Sequence, residues 1–173
     1  AMEQRWQVLW NAVESARRQA GHATPAEQAL IAALGKRYTS ATPIPAEKMQ
    51  PFNDAYASAM RDVAKQYPAD DDAQVFFAEA LMTANPWKLW SNDGKAAPGT
   101  EEIVATLEGV IARNPSHPGA NHYYIHAVEA SPHPERALAA ADRLAALMPG
   151  AGHIVHMPAH IYQRVGRYAD AST

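Results

Sequence analysis

The sequence predicts an all-α chain assembled from repeating helix pairs. Two observations lead there: no stretch alternates apolar and polar residues at the two-residue period of a half-buried strand, and apolar residues at helical spacing fall between regularly placed prolines and glycines. Composition agrees. Hydrophobic residues make up 47% of the 173 and charged residues 19%, a globular balance, and much of the apolar share is alanine. Alanine has the best helix propensity and lets helix backbones approach closely.

About eight helices are expected, each with its own signals. Residues 3–20 carry Trp6, Leu9, Trp10 and Val13 at helical spacing and stop at Gly21. The two indoles share a face and read as core. Thr24-Pro25-Ala26-Glu27 is a capping-box signature with proline at the first helical position, so a second helix runs from about 25 to 38. After the loop around Pro43 and Pro45, a third covers about 46–66 and ends at Tyr67-Pro68. Asp70, Asp71 and Asp72 cap and charge the start of a fourth, about 71–84, with Phe76, Phe77, Ala80 and Leu81 as its apolar stripe. Residues 85–99 form a long insertion loop whose Trp87, Leu89 and Trp90 are too apolar to lie free in solvent. They are expected to fold back onto the helices, as gap-filling side chains or at the end of a binding surface. Thr100-Glu101-Glu102-Ile103 opens a fifth helix that Asn114-Pro115 closes, and the last three cover about 118–130, 134–148 and 152–165.

Self-comparison gives a period. Pro115 and Pro149, each closing a helix, are 34 residues apart, and so are His122 and His156, and His126 and His160. Pro68 precedes Pro115 by 47, one period plus the length absorbed by the 85–99 insertion; on that alignment Glu79 corresponds to His126 and His160.

The segment Gly166 to Ala171, "GRYADA", with Tyr162 before it and the closing Pro149, resembles the tetratricopeptide repeat over about 118–171. Pro132 and Pro134 depart from that family at the turn of the preceding unit, where glycine and an aromatic are usual. The resemblance implies one array over 1–173, a right-handed α-α superhelix (a TPR-like solenoid of antiparallel helices) whose concave groove binds extended peptides. The ends read as cut from a longer protein.

Seven of the eight histidines lie between His117 and His160. His122 and His126 are four apart on one helix; His153, His156 and His160 are three and four apart on another, so each set shares a face. With Glu79, Glu129 and Gln163 they are the candidate ligand groove, and the resemblance places such positions toward the concave side. Four uses stay open. The first is a protein or peptide partner, or a small ligand, held by imidazole donors and acceptors with no cofactor. The second is a zinc, copper or nickel site made by His122, His126, His156 and His160, with Glu79 able to complete it. The third is acid–base work by a His–Glu pair, for which no nucleophile or other catalytic motif is present, so no enzyme is expected. The fourth is a purely structural role, the imidazoles bonding helix termini and tyrosine hydroxyls. His117 and His133, beside prolines, read as helix-end caps.

A formal net charge of −3 with scattered basic residues gives no reason to expect a nucleic-acid partner. No apolar run approaches a membrane span. The lack of cysteine removes disulfides and thiolate ligands, which suits cytoplasm, slightly favoured, or periplasm.

Overall fold

The computed structural model describes residues 2–172; Ala1 and Thr173, the ends of the expected array, lie outside the described residues. Among the described residues every named element is helical, and the only pairing of strand type is an isolated bridge between Trp90 and Ala96. The chain divides into two compact units, Ala1–Ala84 and Asn85–Thr173.

The first unit holds α1 (Met2–Gln19), α2 (Pro25–Arg37), α3 (Gln50–Gln66) and α4 (Asp71–Ala84), each packed on the next. The capping box forms as expected: Glu27 N–H donates to Thr24 Oγ1 at 3.3 Å and Thr24 N–H to Glu27 Oε2 at 2.8 Å. Asp70 caps α4 by accepting from Ala73 N–H at 2.9 Å. The third helix starts later than expected. Pro51 lacks the N–H that would continue an α-helical ladder back to Glu47, so Ala46–Lys48 closes only a 3-10 turn and α3 begins at Gln50. Tyr56, Met60 and Val63 of α3 and Ala73, Phe77, Ala80 and Leu81 of α4 are buried, but Phe76 is exposed, a correction to the expected stripe. Trp6 and Trp10 are half-buried rather than core, Trp6 donating its indole N–H to the Ser40 carbonyl at 3.0 Å. The fully turned-in residue of α1 is Val13.

The second unit holds α5 (Thr100–Arg113), α6 (Pro118–Val128), α7 (Leu138–Leu147), α8 (Gly152–His156), α9 (Pro158–Arg164) and α10 (Tyr168–Ala171). Each of α5, α6 and α7 packs on its successor or near-successor, with α9 against α7. Its core is Ile103, Leu107 and Val110 from α5, Tyr124, Ile125 and Val128 from α6, Leu144 from α7, and Met157 and Ile161 around α9, set among alanines 120, 127, 140 and 141. The seventh expected helix opens with a 3-10 turn, Pro134–Ala137, before α7. The eighth is two helices. Pro158 cannot donate to the Ile154 carbonyl, so the ladder lapses at Met157 and resumes as α9 after a tighter bond from His160 N–H to Met157 O at 3.1 Å. Gly166, at φ 81°, ends α9: Arg167 N–H reaches back to Tyr162 O at 2.8 Å and Gly166 N–H to Gln163 O at 3.4 Å.

The 85–99 loop folds onto this unit through two of its three apolar residues. Leu89 is buried, and the Trp90 indole donates to the Ala127 carbonyl at 2.7 Å, satisfying one of the unpaired carbonyls at the end of α6. Trp87 instead stands 91% exposed at φ 61°, so the expectation that it plugs a gap fails.

Candidate functional site

The outward face of α6 follows from its inward one. With Ala120, Tyr124, Ala127 and Val128 turned into the core, helical geometry leaves His122, His126 and Glu129 stacked one above another on the opposite side. His117 caps this helix, its Nδ1 accepting from Ala120 N–H at 3.2 Å. His133 does not cap: its ring pairs with the exposed Glu135 carboxylate at 3.1 Å.

Helices α8 and α9 supply the other three imidazoles. His122 Nε2 lies 3.0 Å from His153 Nε2, and His156 Nε2 lies 3.1 Å from His160 Nε2. Ring centroids link the five into one chain, 4.9 Å for His122–His126, 5.0 Å for His122–His153, 6.0 Å for His126–His160 and 5.0 Å for His156–His160. The repeat alignment predicts His126 beside His160, which the structure has. It also predicts His122 beside His156, and there His153 stands instead. His153 and His160 lie on either side of the lapse at Pro158, where the α-helical ladder between α8 and α9 is interrupted.

Glu129 binds the set from beneath. Its Oε1 accepts from His126 Nδ1 at 3.1 Å and its Oε2 from His160 Nδ1 at 2.5 Å, with only 16% of its side chain exposed. Burial opposes its charge, but hydrogen bonds and charge from the two histidines outweigh that and hold the carboxyl below the usual carboxylate value. Because a carboxylate only accepts, Nδ1 of His126 and of His160 carries a proton toward Glu129, and in the neutral imidazole each Nε2 is left with a lone pair. Burial first, then the neighbouring charges of His126 and His153, push His122 down to about 4, so its ring is neutral at physiological pH.

The convergence is closest at His122, His126 and His153, where one ring nitrogen from each lies within 4.8 Å of the others. Two nitrogens bound at about 2.05 Å to one tetrahedral ion stand about 3.3 Å apart, so the His122–His153 pair, at 3.0 Å, already has nearly that spacing. Half-buried His122 and His126 give this trio a fixed side, and exposed His153 an open one. This differs from the expected quartet in which His156 and His160 completed the group. Of the other expected site residues, Glu79 belongs to the first unit, where it accepts from Thr83 Oγ1 at 2.8 Å, and Gln163 is exposed on α9. The tyrosine hydroxyls that the structural reading invoked bond elsewhere: Tyr124 to Glu108 at 2.5 Å and Tyr162 to Asp142 at 2.8 Å. Sequence reasoning missed that one carboxylate serves two imidazoles. Glu129 at seven residues past His122 was the available signal.

No protein-family model, curated protein or solved structure matches the chain. No helix among the described residues is long and apolar enough to cross a membrane.

Proposed function

We propose that the second unit is a divalent transition-metal-binding module on a TPR-like helical scaffold, with His122, His126 and His153 as the protein ligands. The observation that carries this reading is the convergence of three imidazole nitrogens within 4.8 Å. An all-imidazole donor set suits zinc, copper or nickel rather than calcium or magnesium, which take oxygen. Glu129 behind His126 supplies the carboxylate–histidine pairing that orients ligands in metal sites. Three protein ligands with an exposed side leave a position for water or a bound molecule. The scaffold reading is supported by Pro115 and Pro149, 34 residues apart, which stand just past the ends of α5 and α7, and by the Gly166 turn between α9 and α10.

The test is isothermal titration of chelator-treated protein with zinc, followed by the same titration of His122→Ala and His126→Ala. Saturable binding at micromolar zinc that both variants abolish supports the reading; no binding at that concentration refutes it. A second reading, capture of a protein or peptide partner in a histidine-lined groove, is favoured by the exposure of His153, His156 and Gln163 on neighbouring turns. It predicts partner capture that persists in the presence of a chelator and is lost in His126→Ala.

A further inference from the structure

We propose that the cluster contains a second metal position, formed by His156 and His160 and tied to the first by Glu129. This deepens the preceding reading and rests on it, because the two positions share one carboxylate.

Four observations lead to it. His156 and His160 are four residues apart, and their Nε2 atoms meet at 3.1 Å, close to the about 3.3 Å edge of a tetrahedral site. The two rings are nearly perpendicular, at 81°, so their lone pairs can aim at one point from different directions. His160 is anchored from behind as His126 is, by the other oxygen of the same Glu129, which keeps its proton on Nδ1 and its Nε2 open. Finally, the trio that converges within 4.8 Å does not include either of these histidines, so a single ion cannot use all five.

The protons balance without loss to solvent. With its proton held on Nδ1 by Glu129, a neutral His160 accepts at Nε2, and the 3.1 Å contact is then donated by His156 Nε2–H. When an ion enters, His156 moves its proton to its exposed Nδ1, and both Nε2 lone pairs turn to the metal. Water completes the coordination. A site of two imidazoles and water is weaker than the trio and fills second. Copper(II) is the suitable probe, being the tightest-binding of the divalent first-row ions for such donors.

The experiment is equilibrium dialysis of the full chain against copper(II) alone, with elemental analysis of the dialysed samples. The expected result is about two equivalents of copper, falling to about one equivalent in His156→Gln. His156 is exposed, so the glutamine leaves packing intact, and far-ultraviolet circular dichroism checks it. One equivalent in the wild type, unchanged by His156→Gln, overturns the second position and leaves the trio standing. Two equivalents that survive His156→Gln also overturn it. No copper retained overturns both readings together.

Discussion

Glu129→Gln is the substitution that separates an organised metal cluster from a chance gathering of histidines. The carboxylate accepts from two imidazoles, at 3.1 Å from His126 and 2.5 Å from His160. Glutamine has nearly the same shape but a single acceptor oxygen. The shorter contact keeps that oxygen, so His126 Nδ1–H faces an amide NH2 and loses its anchor. The ring is then free to rotate or to move its proton to Nε2, and either change removes the lone pair that the trio needs. Loss of such an outer carboxylate costs about 10- to 100-fold in metal affinity, or about 1.4–2.7 kcal/mol. Zinc affinity is measured by competition with a chromophoric chelator at neutral pH. Glu135→Gln serves as the control, since that carboxylate pairs with exposed His133 outside the cluster, and no change is expected there. An affinity for Glu129→Gln within about twofold of the wild type would show that Glu129 does not orient His126, and the reasoning would fall.

Other expectations concern the scaffold. Gly94 sits at φ 78°, and an added Cβ would lie 2.6 Å from Pro132 Cγ, so Gly94→Ala should cost about 2 kcal/mol in urea unfolding, from left-handed strain and overpacking together. Trp87→Gly should do the opposite: the indole is 91% exposed at φ 61°, and relief of that backbone strain should raise stability by about 0.5–1 kcal/mol despite the loss of a large side chain. Leu144→Ala, at a fully buried position, should cost about 2–5 kcal/mol by thermal or chemical melting. Burial, then the hydrogen bond to Glu108, raises the Tyr124 phenol above its usual value. The folded value exceeds the unfolded one, so this contribution to stability is complete below about pH 10 and is lost as pH rises through the folded value. Tyrosinate absorbance should show late ionisation from Tyr124 and from Tyr162, and Tyr124→Phe should remove one of these two late groups.

Local signals with a single physical meaning were legible in the sequence. The capping box at Thr24 and Glu27, the cap at Asp70 and the helix stop before Pro115 each depend on residues within a few positions, and each forms as expected. The five-histidine gathering was legible too, because spacing on a helix fixes a face. Its pairing was not. Periodicity treats residues 152–165 as one helix, whereas Pro158 interrupts the ladder, and the registration of His153 against His122 depends on that local break. The proline was visible in "HMPAH", and weighting its missing N–H above the repeat would have divided the helix there. Phe76 and Trp87 went the other way: hydrophobicity suggested burial, but position on the helix and backbone conformation leave both exposed. The shared carboxylate needed three dimensions, since Glu129 and His160 are 31 residues apart.

His122–His153 and Glu129–His160 each join partners 31 residues apart, so their ends are displaced by the same seven residues along both segments. Ala120 and Ala127 of α6, on the side opposite this ladder, and Ala140 and Ala141 of α7 are buried where the helices pack. Alanine faces pack closely but have little relief, and sliding one past another by a residue changes their contact energy only slightly. A polar ladder with two equally spaced rungs removes that degeneracy, because any slip breaks both rungs at once and leaves a half-buried carboxylate facing no donor. Whatever else the imidazoles hold, the two rungs tie α6 to α8 and α9 in one alignment.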